Sequence, residues 1–300
     1  MRIPGAFFMM AYLSGLMTVK EQYQYLSEQL QQLYSKGEAN TISYWALEHY
    51  TGLNRMAIKS NGHRVLTIHE KQLISSALKQ LVKHRPVQYV LGEAWFKNLA
   101  FYVDESVLIP RPETEELVDW VVEYCKEKSA GKQVFEIGTG SGCIAIAIKS
   151  KMPVSSVTAI DVSEPALAIA HNNAERLKSS IHFILMNFLE ESSWDTLPKY
   201  EVIISNPPYI PINEKEKLDK NVTAWEPSMA LFVPDKDPLL FYRKIAAFGK
   251  KHLEKEGAIF VECHQDFANA TQEMFVAMGY ETQLKKDLFD NERMLKAVLI

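Results

Sequence analysis

The sequence predicts an α/β chain: a mostly parallel, doubly wound sheet of seven strands, preceded by a small N-terminal helical bundle. Three observations predict it. From Gln133 onward, short apolar runs alternate with stretches of helical periodicity. A glycine-rich turn, Gly138-Thr139-Gly140-Ser141-Gly142, stands between the first of those runs and the helix after it. Residues 18–85, by contrast, show only the three- and four-residue spacing of amphipathic helices.

In the helical part, Tyr23, Leu26, Leu30 and Leu33 form one stripe, and Gly37 is expected to stop that helix. Ile42, Trp45, Ala46 and His49 belong to a second helix that Gly52 ends. Thr67 caps a third, whose stripe is Leu73, Ile74, Leu78, Leu81 and Val82, and Pro86 closes it. Residues 86–112 connect, with a short hairpin of Trp95-Phe96 and Phe101-Tyr102-Val103 around Lys97-Asn98. Pro110-Arg111-Pro112 opens a helix with Glu113, Glu115 and Glu116 in its first turn, where the helix dipole favours acids. Strands are expected at 134–137, 157–160, 181–185, 201–205, 258–263, 280–285 and 295–299. Helices are expected at 142–151, 164–177, 238–253 and 266–278. Right-handed crossovers then make the sheet parallel over most of its width.

The expected organisation is an extension at 1–17, a helical domain at 18–85, the connector at 86–112, and an α/β domain at 113–300. With 47% hydrophobic residues among 300, the chain can bury a large core. A net charge of −4 argues against a protein that mainly grips phosphate backbones, and no stable nucleic-acid binding is expected. Cys125, Cys143 and Cys263 lie far apart and suit buried thiols; no Cys/His cluster suggests a metal site. The apolar stretch Ile3–Met17 is too short to span a bilayer and has a thin basic flank in Arg2. It is expected to be a poorly ordered extension, with the folded part starting near Met17-Thr18, in a monomeric cytoplasmic protein without a membrane partner.

The most specific signal is Asn206-Pro207-Pro208-Tyr209, placed directly after the apolar strand Val202-Ile203-Ile204-Ser205. Two prolines stiffen the turn and remove two donors, leaving carbonyls free to accept. The Asn206 oxygen adds an acceptor and Tyr209 a flat face. Such a receptor suits a planar NH2 group and points to methylation of an amide or exocyclic amine nitrogen.

A donor site is expected upstream. The turn Gly138–Gly142, including Thr139 and Ser141, has the spacing G-x-G-x-G, and Cys143 stands where a dinucleotide fingerprint carries its third glycine. Asp161 ends the second strand, twenty-one residues after Gly140, where a carboxylate can accept from both hydroxyls of a ribose. Its alternative role is a helix cap, for which Ser163 is better placed. Asn187 and Phe188 follow the third strand and suit the amino group and the face of an adenine, although Phe188 equally suits plain core. Glu136, just before the glycine turn, could answer an ammonium directly or through water.

With these residues in order, the chain resembles the S-adenosylmethionine-dependent methyltransferases of Rossmann-like fold. More narrowly, it resembles the HemK/PrmC family of release-factor glutamine methyltransferases. The resemblance covers roughly residues 18–300 and rests on Arg85–Gly92, Val107–Glu115, Glu136–Cys143, Asp161-Val162-Ser163, Ser205–Ile210 and Glu226-Pro227. It implies S-adenosylmethionine as co-substrate, bound by Gly138–Gly142, Asp161 and Phe188, and Asn206 of the acceptor turn is expected to border the donor as well. It also implies Asn206–Tyr209 as the site for a substrate glutamine, that of the Gly-Gly-Gln tip of class 1 peptide release factors, with the helical domain contacting the factor. Two departures stand out: Asn187 where the family usually has Asp, and Val233–Pro238 in place of a more glycine-rich turn.

Other readings keep part of the pattern. A glutamine of a ribosomal protein would use the same turn. An adenine or guanine amino methylase would too, but would need a base-reading domain or a basic surface, and Lys71, Lys79, Lys83 and Arg85 fit a solvated helix face better. A nicotinamide oxidoreductase lacks a reason for Asn206–Tyr209, and a non-catalytic adaptor lacks a reason for either site.

Overall fold

A computed structural model of the chain describes residues 17–126 and 131–300. The expected extension lies outside the described residues except for Met17, which is buried and whose carbonyl accepts from the Leu66 N–H at 2.9 Å. The chain divides into two compact units, one ending at Gly92 and the other running from Glu93 to Ile300.

The first unit is helical: Val19–Leu30, Lys36–Thr51, Arg55–Ser60, Ile68–Leu81 and Val87–Leu91. Its ends follow from local chemistry. Thr18 and Glu21 form a reciprocal capping box, as do Thr67 and Glu70, each satisfying two orphan donors. Gly52 takes the left-handed conformation (φ 67°) that ends Lys36–Thr51. Gly37 does not stop the first helix. That helix ends at Leu30, and Gly37 sits in the first turn of the next, capped by Ser35. The short helix Arg55–Ser60, capped by Asn54, was not expected from periodicity. Leu26, Ala46, Leu47, Ile58 and Ile74 pack as one apolar cluster, and Leu30, Ile42 and Leu81 belong to a second. Leu33, Trp45 and Val82, expected on the buried stripes, are exposed, whereas Lys71 is buried rather than solvated.

The second unit opens with the hairpin β1 (Ala94–Phe96) and β2 (Leu99–Phe101). Its turn residues Lys97 and Asn98 both have positive φ (50° and 61°), the geometry that matches the twist of a two-residue hairpin. The helix Pro112–Lys126 follows, with Glu113 and Glu115 in its first turn. The main sheet holds β3 (Gln133–Ile137), β4 (Ser156–Asp161), β5 (His182–Leu185), β6 (Tyr200–Ser205), β9 (Leu253–Glu262), β10 (Tyr280–Lys286) and β11 (Glu292–Leu299). Their order is β10-β11-β9-β6-β3-β4-β5, parallel except that β11 runs antiparallel to both neighbours. This is the expected seven-stranded, mostly parallel sheet. A small parallel pair, β7 (Ile210–Pro211) with β8 (Phe232–Val233), lies outside it.

Register positions the site. Ile137 of β3 pairs with Ile160 of β4 and Ser205 of β6, and Asp161 pairs with Leu185 of β5. The carboxyl ends of four strands therefore lie at one edge. β3 is flanked by β4 on one side and β6 on the other, the switch point where crossovers leave in opposite directions and open a crevice. Beneath it the core is aromatic: Phe135 stacks on Tyr200 at 4.6 Å and on Phe248 at 5.1 Å, which fixes the inner face of β3.

Candidate active site

The glycine turn leaves β3 with Gly138, Gly140 and Gly142 all at positive φ (76°, 52° and 80°), a run that residues with a Cβ rarely adopt. Its backbone is pinned. The N–H groups of Gly138 and Thr139 both donate to the Ile160 carbonyl at 2.9 Å, and Gly142 N–H donates to the Thr139 carbonyl at 2.9 Å. Gly140 N–H donates to Asp161 Oδ2 at 2.8 Å. Asn173, buried on the helix Glu164–Arg176, holds the turn from behind, donating from Nδ2 to the Ser141 carbonyl at 3.0 Å.

A cavity of about 430 Å3 opens at this edge of the sheet. Of the residues the sequence singles out, Gly138, Gly140, Asp161, Asn187, Phe188, Asn206 and Pro208 lie on its wall. A Cβ built on Gly138 or Gly140 would meet no atom within 4 Å, so both glycines face open space that a ligand can enter. The rest of the wall is largely apolar, with Leu108, Val162 and Met229 among its residues. This suits a flat heterocycle held by contact area and oriented by a few polar groups.

Asp161 carries two of those polar groups. Its Oδ1 accepts from Ser163 N–H at 2.9 Å and its Oδ2 from Gly140 N–H, so the carboxylate is oriented, while each oxygen keeps capacity for a second bond. Burial pushes its pKa up, against these N–H donors, which pull it down. The cap of the next helix is Ser163, which accepts from Ala166 N–H at 3.3 Å.

Asn187 lines the cavity, but both ends of its amide are engaged locally. Its Oδ1 accepts from Leu189 N–H at 3.1 Å and its Nδ2 donates to Glu190 at 3.0 Å. Phe188 combines both readings. It stacks on Trp194 at 5.2 Å within the core and presents only a small part of its surface to the cavity.

Thr139, Ser141, Gly142 and Glu136 lie off the wall. Glu136 is fully buried; its Oε2 accepts from Thr139 Oγ1 at 2.7 Å and from Ala145 N–H at 3.1 Å. Burial pushes its pKa up to about 8. It braces the turn and the N-terminus of the helix Cys143–Lys151 from below.

The second half of the site is Asn206–Tyr209, leaving β6. Asn206 Nδ2 lies 3.0 Å from Thr114 Oγ1, and Thr114 Oγ1 donates to Glu262 Oε2 at 2.6 Å. Tyr209 donates its hydroxyl to Glu262 Oε1 at 3.0 Å, and burial beside this carboxylate raises its pKa. Pro207 and Tyr209 lie off the cavity wall, so the turn reaches it through Asn206 and Pro208. Arg111 ties a neighbouring segment down. It pairs at 2.6 Å with Glu226, whose side chain is 1% exposed and also accepts from Ile109 N–H at 3.2 Å.

Sequence reasoning missed Thr114, Glu262 and the apolar wall. One signal was present for Glu262, a lone acid within Ala258–Cys263, an otherwise apolar strand after Gly257. Thr114 lies within Val107–Glu115, where the sequence gives it no role of its own.

The fold and this site define a methyltransferase, and comparison with known proteins agrees. Residues 119–224 match the methyltransferase small domain family, and residues 21–92 match the PrmC N-terminal domain family. The chain is 39% identical to the release factor glutamine methyltransferase of Flavobacterium psychrophilum over 93% of its own length and 99% of that protein's. It is 36% identical to the enzyme of the same name from Bacteroides thetaiotaomicron, over 91% and 97% of the two lengths. The chain belongs to the release factor glutamine methyltransferase family.

Proposed function

We propose that this chain transfers the methyl group of S-adenosylmethionine to the side-chain amide nitrogen of the Gln in the Gly-Gly-Gln motif of class 1 peptide release factors. Family membership supports this reading. The observation that carries it is the position of Asn206 on the same cavity wall as the glycine turn and Asp161. A donor and an amide acceptor thereby share one enclosure.

The residues fit the donor. Gly138 and Gly140 leave room at the turn, Asp161 has bonding capacity for ribose hydroxyls, and Asn187 with the edge of Phe188 borders the adenine end. Glu136 contributes from beneath, by holding the turn in shape. S-adenosylmethionine supplies a sulfonium methyl, already a strong electrophile.

The protein's task is then aim. Asn206 Oδ1 and the Pro207 carbonyl accept the two hydrogens of the substrate amide. This holds its nitrogen toward the methyl and draws density from the N–H bonds as the nitrogen pyramidalises. The Tyr209 ring, anchored through its hydroxyl on Glu262, backs the amide plane. Positioning of this kind lowers a barrier by about 7–11 kcal/mol. The amide nitrogen bonds the methyl carbon as the S–CH3 bond breaks and its electron pair returns to sulfur; S-adenosylhomocysteine departs, and the methylated nitrogen sheds one N–H proton to solvent, so this scheme requires no dedicated base and no metal. The chain acts as a soluble cytoplasmic monomer on the factor.

Labelled S-adenosylmethionine, the purified chain, and a bacterial class 1 release factor with its Gly-Gly-Ala variant provide the test. Label on the native factor alone is expected. Label on ribosomal proteins or RNA, with the factor unlabelled, overturns the assignment.

A further inference from the structure

We infer that Thr114 and Glu262 are positioning residues that decide which end of the Asn206 amide faces the substrate. The inference rests on the reading of Asn206 as the acceptor for a substrate NH2. The two ends of an asparagine amide are nearly the same size, so packing alone does not choose between them. Hydrogen bonding does.

Glu262 is 1% exposed, and each of its oxygens meets a hydroxyl: Thr114 at 2.6 Å and Tyr209 at 3.0 Å. A carboxylate only accepts, so both hydroxyls donate to it. Thr114 has a single hydroxyl hydrogen, and that hydrogen is committed to Glu262. Toward Asn206, 3.0 Å away, the Thr114 oxygen can therefore only accept. That places Asn206 Nδ2 against Thr114 and leaves Oδ1 as the acceptor for the incoming amide. Rotated by half a turn, Asn206 would set its own NH2 against the substrate's and its oxygen against an acceptor. The same carboxylate orients Tyr209, so one buried group sets two sides of the receptor. Burial pushes the Glu262 pKa up, while the Thr114 and Tyr209 hydroxyls and the Arg293 charge pull it down. The three partners come from the helix Pro112–Lys126, the turn after β6, and the end of β9.

The test compares Thr114→Val, which keeps the shape and removes the hydroxyl, with Thr114→Ser, which keeps the hydroxyl. For Thr114→Val, kcat on the release factor is expected to fall roughly 10–100-fold, the effect of one misplaced hydrogen bond. The dissociation constant for S-adenosylmethionine should stay within about twofold of wild type, since neither residue lines the donor site. Thr114→Ser should restore most of kcat. Glu262→Gln, whose amide must donate to one of the two hydroxyls, should lose kcat as Thr114→Val does. Near-normal kcat in a folded Thr114→Val enzyme overturns the inference. A second readout needs no turnover: the Asn206 side-chain NH2 signals in 15N NMR, assigned by their loss in Asn206→Ala. Slow exchange in wild type that becomes fast in Thr114→Val supports the inference, and identical exchange in both overturns it. If wild type leaves the release factor unlabelled, the substrate assignment fails, and the NMR comparison still decides the orientation.

Discussion

Asp161 Oδ2 accepts a hydrogen bond from Gly140 N–H at 2.8 Å, so the residue that ends β4 also shapes the glycine turn that ends β3. Two separate sequence signals are thus one physical unit, in which the carboxylate that ends β4 sets the shape of the glycine turn beside the cavity.

The first prediction tests that unit. Asp161→Ala removes the candidate ribose acceptor and orphans two backbone N–H groups, those of Gly140 and Ser163. Donor affinity should fall roughly 10–100-fold by calorimetry, with about 1–3 kcal/mol lost in stability. Asp161→Asn should be nearly as damaging, because its NH2 must face one of those N–H groups. Near-wild-type affinity in Asp161→Asn would count against this picture.

Two glycine substitutions should separate stability from binding. A Cβ at Gly142 (φ +80°) would lie 3.2 Å from both the Ala170 Cβ and the Ile146 Cδ1. Gly142→Ala therefore adds crowding to backbone strain of about 1–2 kcal/mol, and should lower the melting temperature more. A Cβ at Gly140 (φ +52°) meets nothing within 4 Å and projects where the turn borders the cavity. Gly140→Ala should cost the strain alone in stability but weaken donor binding more than Gly142→Ala. Paired thermal melts and donor titrations check both.

Glu136 should make stability depend on pH. Its folded pKa is raised from 4.5 to about 8. Between those values the folded protein holds a proton that the unfolded chain has released. Unfolding free energy should therefore fall as pH rises from about 5 to 8, by on the order of 1 kcal/mol per pH unit from this group. Glu136→Gln, neutral throughout, should flatten that slope in urea melts. An unchanged slope would show that Glu136 is ionised in the folded protein.

Asn206→Ala should separate chemistry from donor binding. Removing an acceptor aimed at the reacting amide should cost roughly 100–1000-fold in kcat. The donor's dissociation constant should change by less than about threefold, because the turn, Asp161 and the apolar wall remain. A parallel loss of donor affinity would place Asn206 in the donor site instead.

Much of this was legible locally. The cap at Thr67, the stop at Gly52, the hairpin turn at Lys97-Asn98 and the proline start at Pro112 each depend on neighbours within a few residues. The alternation after Gln133 carried the sheet for the same reason, since buried parallel strands are apolar along their length. The errors were local too. Gly37 was expected to stop a helix, but a glycine tolerates the first turn of the next one when a cap such as Ser35 precedes it. Leu33 lies past the end of its helix, Val82 at the cap of another, and Trp45 on a helix face that the described residues cover only in part.

By itself the sequence determined most of the elements, their order, the glycine turn and the Asn206–Tyr209 turn, because each is set by backbone conformations and side chains close in the chain. Only the tertiary structure decided what holds the Asn206 amide. Thr114 meets Glu262 across 148 residues and Asn206 across 92. It also decided that Glu136 faces inward to brace the turn, and that Phe188 serves both core and cavity. A hydrogen bond between distant strands and helices leaves no periodicity or spacing behind. It exists only once sheet register has brought its donor and its acceptor to the same edge.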